Sequence, residues 1–479
     1  MRNIIAPLFV SLITALGSAQ ADADNRPNIL FILADDLGWK DLGHLGSDYY
    51  ETPHLDRFAT QSMRFTQAYA AAANCGPSRA CLMSGLNTPR HGVYTVNNSD
   101  RGKAATRRIT PIANTVDLAP KFKTLGGVLS ENGYQTITIG KWHLGEDPTQ
   151  QGFHENIAGH RRGSPNKSHF SPYNLETLSN GPDGEYLADR LTQEAIDFLD
   201  RRDESKPFFL YLPHYAVHTP IQAPEDLTQK YLKKGERSGQ RNAKYAAMVE
   251  NLDTNVGLIL DHLESKALSK NTIVIFTSDN GGIRSISTQA PLRAGKGSYY
   301  EGGIRVPMAI RWPGKIKANT ITDMPTTNLD FYPTLLELAG IEYDRNPFDG
   351  DSIASQLLNQ KALSERPFIW HFPIYLQAYR PNDDDGRDPL FRTRPGSVIR
   401  RGKWKLHLYY EDNAFELYDL QADIGERNNL AESKPEIVSR LHKELVNWIA
   451  STEAPVPSLP NPQYDAAEEQ RLIKRALSK

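Results

Sequence analysis

Short apolar segments alternate with longer stretches of helical periodicity along most of the chain. The apolar segments span residues 28–33, 135–139, 207–212 and 272–277. Continuous apolar runs of this length predict strands that are buried on both faces of a sheet. The intervening stretches, such as 186–199 and 245–263, repeat apolar residues at three and four positions, which predicts helices. The alternation predicts an α/β fold with a mostly parallel sheet covered on both faces.

Polar side chains capable of chemistry follow every one of these predicted strands. In chain order they are Asp35 and Asp36, then Lys141 and His143, then His214 and His218, and finally Asp279 and Asn280. Because the carboxyl ends of parallel strands lie at one edge of a sheet, we expect these residues to form one site. The run from Gly140 to Gly145 alternates like the end of a strand, which predicts that Lys141 and His143 project to the same side.

The oxygen-bearing residues of this set suggest a metal site. Asp35, Asp36, Asp279 and Asn280 carry hard oxygen ligands, which suit Ca²⁺ or Mg²⁺ better than zinc. Each pair taken alone has a plainer interpretation. An Asp-Asp pair after a strand often caps a helix, and Asp-Asn-Gly-Gly is a common turn.

The C-terminal part has a different pattern. Residues 403–408 and 415–419 predict short, partly exposed strands, and 435–449 predicts a helix, together a small α+β unit. The segment 379–395 is too polar for a core and predicts a long loop. Beyond residue 452 the prolines predict extended chain before a short final helix.

Composition and the N-terminus restrict the class of protein. The chain has 479 residues, 39% hydrophobic and 23% charged, with a formal net charge of -2, so no overall positive field attracts nucleic acid. Arg2, an apolar run from Ile4 to Leu16 and the small-residue end Ala19-Gln20-Ala21 predict a cleavable signal peptide over residues 1–21. We therefore expect export to the periplasm or the medium. The apolar run is shorter than the roughly 20 residues that span a bilayer, so no membrane helix is expected.

The two cysteines, Cys75 and Cys81, are too few for a disulfide framework. The run Cys75-Gly76-Pro77-Ser78-Arg79 resembles the signature of type I sulfatases. The resemblance implies that a formylglycine-generating maturation enzyme oxidises Cys75 to the aldehyde formylglycine, and a disulfide with Cys81 would consume that thiol. The plainer alternative is that Cys75 is a small buried residue before a helix. A helix beginning near Pro77 would direct its positive end towards an anion beside residue 75.

Further runs are similar to other signatures of the same family. Asp35-Asp36-Leu37-Gly38 and Ser278-Asp279-Asn280-Gly281 imply one divalent cation, usually calcium, with the formylglycine oxygen at residue 75 as a further ligand. The run 140–145 implies that Lys141 holds the formylglycine and the sulfate, and that His143 acts as a base. By the same resemblance, His218 and Lys296 touch the sulfate and the departing oxygen. Val217 stands where proline is common, which leaves His218 and His214 both open for that role. In the mechanism that these parts suggest, Arg79 also faces the sulfate.

The resemblance implies an exported, calcium-dependent hydrolase of sulfate esters. The implied fold is an alkaline-phosphatase-like α/β/α sandwich over residues 25–365, followed by a smaller C-terminal α+β subdomain with an antiparallel sheet over 366–479. The family's commonest substrates are sulfated carbohydrates, and marine galactans such as carrageenan fit an exported enzyme. Two alternatives remain open: a formylglycine-dependent phosphonate monoester or phosphodiester hydrolase, and a non-catalytic glycan-binding relative. Arginines that could contact further anionic groups are Arg107, Arg108, Arg161, Arg162, Arg392 and Arg394.

Overall fold

The computed structural model describes residues 26–381 and 383–478. The predicted signal peptide, residues 1–21, lies outside these ranges. The described strands are β1 (Asn28–Ala34), β2 (Met63–Phe65), β3 (Ala68–Tyr69), β4 (Gln135–Ile139), β5 (Glu155–Ile157), β6 (Phe208–Pro213), β7 (Thr272–Ser278), β8 (Met308–Arg311), β9 (Thr320–Thr322), β10 (Thr326–Thr327), β11 (Phe368–Phe372), β12 (Leu376–Gln377), β13 (Phe391–Thr393), β14 (Gly396–Arg401), β15 (Trp404–Tyr409) and β16 (Ala414–Asp419).

The α-helices cover both faces of the larger sheet and one face of the smaller one. They are α1 (Pro53–Thr60), α2 (Cys75–Ser84), α3 (Thr88–His91), α4 (Leu125–Glu131), α5 (Leu187–Arg201), α6 (Glu225–Lys234), α7 (Ala243–Ser265), α8 (Glu301–Ile304), α9 (Phe331–Leu338), α10 (Ala354–Asn359), α11 (Pro435–Ser451) and α12 (Ala466–Leu477). Within the described ranges, no helix is long and apolar enough to cross a membrane.

The larger sheet has eight strands in the order β5-β4-β6-β1-β7-β8-β2-β9. Its pairs are parallel except where β8 lies antiparallel to β7 and β2. The four strands predicted from apolar runs are β4, β6, β1 and β7, which are consecutive neighbours in this order. The residues that follow them therefore meet at one edge, and the predicted mostly parallel sheet is confirmed.

Side chains alternate across the sheet into two apolar cores. In β1, Leu30 and Ile32 pack with α5 and α7, whereas Ile29, Phe31 and Leu33 pack with α2 and α9 on the opposite face. This arrangement confirms the α/β/α sandwich. The helices predicted at 186–199 and 245–263 are α5 and α7.

The smaller, antiparallel sheet has the order β11-β14-β15-β16 and is the predicted C-terminal sheet. Helix α11 covers one face through Leu441 and Leu445. The opposite face packs on the larger domain, where Trp370 Nε1 donates a hydrogen bond of 2.8 Å to the Ala70 carbonyl. The division after residue 365 stays a prediction.

Two expectations about this region were wrong. Strand β15 is almost wholly buried rather than partly exposed. The segment 379–395 is a loop over most of its described length, as predicted, but its end forms β13, which pairs with β12, and Arg392 and Arg394 there are buried rather than outside the core. Burial of these polar residues is possible because their guanidinium groups have partners; Arg394, for instance, pairs with Asp388, Glu411 and Glu469.

A buried charge cluster joins the two sheets. Lys405 of β15 lies 2.9 Å from Glu301 of α8 and 2.9 Å from Glu426, and none of the three side chains is exposed. Burial by itself would raise the pKa of Glu301, but Lys405 and Arg305 outweigh it and lower that pKa to about 2. Glu301 is therefore ionised in the folded protein, and its charge depends on these neighbouring cations.

We expect Lys405→Met to lower the free energy of unfolding by about 3–5 kcal/mol, because it removes the buried cation that Glu301 and Glu426 share, while Arg305 stays beside Glu301 alone. The matched control is Lys403→Met, whose ammonium group is partly exposed and pairs with Asp419 at the surface. That change should cost less than about 1 kcal/mol. Urea unfolding of both variants measures the difference, and equal effects would contradict a structural role for the cluster.

Candidate active site

The centre of the site is a set of buried ion pairs at the carboxyl edge of the larger sheet. Each acid follows β1 or β7, and each cation comes from α2 or from the loops near residues 141 and 296. Six charges are buried here, and each has an opposite charge within direct contact, which limits the cost of removing them from water. The pairs are Asp35 with Lys141 at 2.7 Å, Asp36 with Lys296 at 2.7 Å, and Asp279 with Arg79 at 2.8 Å.

Cys75 is the first residue of α2, which agrees with the helix start predicted near Pro77. The N-cap residue, Asn74, makes no side-chain hydrogen bond to the first turn, so the positive end of the helix is directed at Cys75 without a side-chain cap. Cys75 and Cys81 are both free thiols, as expected. A nucleophile at residue 75 would thus lie in a positive field.

Arg79 points towards acidic and backbone partners rather than into the cavity above Cys75. Its guanidinium donates to Asp279 and, at 2.7 Å, to the Lys141 carbonyl, and it is fully buried. Arg79 does not line the cavity, and its Nε and Nη1 donate to Asp279 and Lys141. A contact between Arg79 and the sulfate stays a prediction. The role of Arg79 in this structure is to position those two residues.

Lys141 and His143 reach the site from a loop, so the expectation that they continue a strand was wrong. Strand β4 ends at Ile139, and His143 has a positive φ of 64°. Gly140 is needed at the turn, because a Cβ there would lie 2.1 Å from the Pro213 carbonyl oxygen. The Lys141 side chain nevertheless contacts Asp35, and the His143 ring interacts with the Cys75 thiol.

The structure separates the two candidate histidines after β6. His218 Nε2 lies 3.6 Å from Asp36, and its Nδ1 donates to the Thr219 carbonyl at 2.7 Å. His214 is completely buried, and neither of its ring nitrogens has a hydrogen-bond partner among the described residues. Burial lowers the pKa of His214 to about 4. His218 is thus the histidine that belongs to the site.

The surrounding charges alter the acidity of these groups. Burial would raise the pKa of the Cys75 thiol, but Lys141 and Lys296 outweigh it and hold that pKa well below its usual range. Burial lowers the pKa of His143, which favours a neutral imidazole. For His218, burial and Lys296 act downwards, yet Asp35 and Asp36 leave its pKa raised. One histidine is therefore suited to accept a proton and the other to donate one.

The donor atoms fit a metal ion. Asp35, Asp36, Cys75 and His218 each offer a ligand atom, and these atoms lie within 4.8 Å of one another. Oδ1 of Asp35 and Oδ1 of Asn280 are buried, and no described residue donates to them. Buried oxygens that accept no hydrogen bond are suitable ligands for a hard cation. Asp279 already accepts from Arg79 and from the Asp36 amide, so its ligation, like that of Asn280, stays a prediction.

A cavity of about 560 Å³ opens above Cys75, His143, His218 and Lys296. Of the six arginines proposed for further anion contacts, Arg161 and Arg162 line it. Three others bind groups outside the cavity, namely Arg107, Arg108 and Arg394. Arg392 lies behind Lys296 and donates a hydrogen bond of 3.1 Å to the Lys296 carbonyl. Sequence reasoning missed Arg101, Tyr379 and Arg380, which also line the cavity and belong to no recognisable motif.

These features describe an α/β/α sandwich with an acidic cluster whose donor atoms fit a cation and a cysteine at a helix N-terminus. The sulfatase family model matches residues 27–341, and that of the N-sulphoglucosamine sulphohydrolase C-terminal region matches residues 295–451. The chain therefore belongs to the sulfatase family, the formylglycine-dependent sulfuric ester hydrolases of the alkaline phosphatase superfamily.

Individual relatives agree with this assignment. A sulfatase of Formosa agariphila is 32% identical, over 98% of this chain and 98% of that protein. The N-acetylgalactosamine-6-sulfatase of Rattus norvegicus is 31% identical, over 88% of this chain and 79% of that protein. The crystal structure of Ps i-CgsB in complex with k-i-k-neocarrahexaose has a TM-score of 0.73 and 29% identity, covering 94% of this chain and 98% of that chain.

Proposed function

We propose that this protein is an exported, calcium-dependent sulfatase that uses a formylglycine made from Cys75 to hydrolyse sulfate esters of a carbohydrate. The observation that carries the proposal is the position of Cys75, at the positive end of α2, on the floor of a cavity and beside paired lysines and histidines. Hydrated formylglycine would supply a hydroxyl nucleophile in place of the thiol. Bound calcium would supply positive charge for the sulfate oxygens.

The residues of the chain then have separate tasks. Lys296 would bind the sulfate, since its ammonium group lies at the cavity and is held by Asp36. Lys141, fixed by Asp35, would orient the nucleophile at residue 75. These cations and the helix N-terminus form a field that exists before the substrate binds, which is the form of electrostatic help that costs no reorganisation.

The two histidines would handle the protons. His143 interacts with residue 75, and burial lowers its pKa and favours the neutral ring, so it would accept a proton from a hydroxyl there. His218 keeps its Nδ1 on the Thr219 carbonyl, which directs Nε2 into the site. A proton on that nitrogen would pass to the departing alcohol oxygen. Asp279 is a further candidate base, and it accepts a hydrogen bond from Arg79.

The carbohydrate part of the proposal is supported by the relatives. One similar structure holds k-i-k-neocarrahexaose, and a similar mammalian protein is named an N-acetylgalactosamine-6-sulfatase. A marine galactan such as carrageenan is therefore the first substrate to test. Export is supported by the signal-like segment 1–21.

We expect free sulfate from at least one sulfated glycan when the matured protein is given neocarra-oligosaccharides, animal glycans and an aryl sulfate, with sulfate measured by ion chromatography. Cys75→Ala should reduce turnover by more than about a thousandfold, because it removes the nucleophile. Cys81→Ala is the matched control, since Cys81 lies buried near His91, and it should retain turnover.

A phosphodiester and a phosphonate ester belong in the same panel. Turnover of a phosphorus ester with no sulfate from any ester would overturn the proposal in favour of the phosphonate or phosphodiester hydrolase. Binding of glycans without turnover of any ester would favour the non-catalytic relative.

Calcium should stabilise the protein after chelation, because buried oxygens of Asp35 and Asn280 then gain a partner. At a hundredfold excess of calcium over its dissociation constant the gain is about 2.7 kcal/mol. Thermal unfolding with and without CaCl₂ measures it, with MgCl₂ as the competing ion. Asp35→Asn should lose the shift. Asp253→Asn should keep it, since Asp253 is a buried carboxylate that accepts from the backbone amides of α1. Equal shifts in both variants would contradict the assigned site.

Maturation should produce two covalent changes in protein that is coexpressed with a formylglycine-generating enzyme and collected outside the cytoplasm. We expect loss of residues 1–21 and conversion of Cys75 to the aldehyde, both visible in peptide masses. Cys81 is an internal control and should remain a thiol, because it lacks the following Pro-Ser-Arg run. An active preparation in which Cys75 is still a thiol would refute the formylglycine mechanism.

A further inference from the structure

The cavity above Cys75 is lined by charges of one sign. Lys296, Arg101, Arg161, Arg162 and Arg380 contribute cations, and none of the described residues that line the cavity is an aspartate or glutamate. A cleft with charges of one sign concentrates its field and favours ligands of the opposite sign. There are more cations here than a single sulfate ester needs. The ion-pair partners of each cation therefore indicate which of them are available to a ligand.

Two of the four arginines have acidic partners within the protein. Arg161 pairs with Asp117 at 2.5 Å and with Glu146 at 2.9 Å, and Arg380 lies 3.8 Å from Asp383. Their positive charges are therefore partly compensated within the protein.

Arg101 and Arg162 are different. Within the described part of the chain, neither forms an ion pair with a carboxylate. Arg101 donates to the Thr95 hydroxyl at 3.3 Å and to the Val96 carbonyl, but its Nε is buried without a partner among the described residues. Arg162 donates to the Asn166 side chain at 3.0 Å. Both guanidinium groups therefore retain charge and hydrogen-bond donors for a ligand.

The surroundings of Arg101 make an anion more favourable still. Burial and the neighbouring Arg392 both lower the pKa of Arg101, which means that its positive charge is poorly compensated in the protein. An anionic group placed beside it would remove that penalty.

Arg101 and Arg162 are not the cations that act most strongly on residue 75. Lys141 and Lys296 are the cations that most affect the Cys75 thiol, and each is held by an acid of the central cluster. Arg101 follows the loop of Val96, which packs against Gly76 at the start of α2. Arg162 precedes Gly163, where a Cβ would lie 2.3 Å from the His143 ring. The arginines are thus carried on loops that pack directly on the catalytic residues but are not among them.

We propose that Arg101 and Arg162 form a subsite for a second anionic group of the same substrate, next to the ester that is hydrolysed. The inference rests on the proposed sulfatase function and narrows its substrate to carbohydrates with a further sulfate or carboxylate. Guanidinium groups bind sulfate and carboxylate alike through paired N–H donors. The structure therefore indicates an oxyanion, and the experiment distinguishes a sulfate from a carboxylate.

The test compares kcat/KM within two pairs of substrates. One pair differs only in a second sulfate, and the other differs only in a carboxylate against a hydroxymethyl group. We expect wild-type protein to prefer the doubly anionic member of one pair by about tenfold to a hundredfold, the range of one or two charged hydrogen bonds. Arg101→Gln and Arg162→Gln should each reduce that preference, and Arg101→Lys should restore part of it.

Arg161→Gln is the matched control, because Arg161 lines the same cavity but is held by Asp117 and Glu146. It should keep the wild-type preference, and thermal unfolding checks that every variant is folded. An unchanged preference in Arg101→Gln, or equal wild-type rates within both pairs, would overturn the subsite while leaving the sulfatase function intact. No sulfate release from any ester by the wild type would overturn the proposed function and the subsite with it.

Discussion

The structure depends on the pairing of buried charge at the carboxyl edge of the larger sheet. Asp35, Asp36 and Asp279 lie where strands end, and water is excluded from all of them. An isolated buried carboxylate costs several kcal/mol, so each loop must bring a cation to its acid. The chain meets this requirement with Lys141, Lys296 and Arg79, which come from three separate segments. The same pairing that stabilises the edge also assembles the residues needed for sulfate chemistry.

The C-terminal part of the chain supports this assembly. Arg392 of β13 donates to the Lys296 carbonyl, and Arg293 donates to the carbonyls of Asp385, Gly386 and Glu426. Lys405 adds a buried contact with Glu301 of α8. The loop that carries Lys296 is thus held between the two sheets. The smaller sheet contributes to the site by fixing that loop.

Charge is distributed differently at the floor and the walls of the cavity. At the floor of the cavity, Lys141, Lys296 and Arg79 are paired with Asp35, Asp36 and Asp279. The site therefore keeps a defined geometry before substrate or metal binds. On the walls, Arg101 and Arg162 have no acidic partner among the described residues. Matched charge provides preorganisation for catalysis, whereas unmatched charge provides attraction for an anionic ligand. In our proposal the floor carries out the reaction and the walls select the substrate.

Local sequence patterns were sufficient to predict much of the fold and part of the site. The apolar runs predicted β1, β4, β6 and β7, because a buried parallel strand requires continuous apolar residues, and the cysteine motif predicted the start of α2. The choice of His218 over His214, the partners of Arg79 and the loop geometry of His143 were decided only by tertiary structure. So were the burial of Arg392 and the place of Arg101 in the cavity. Each of these depends on which distant segments lie beside a residue, and short stretches of sequence carry no record of such contacts.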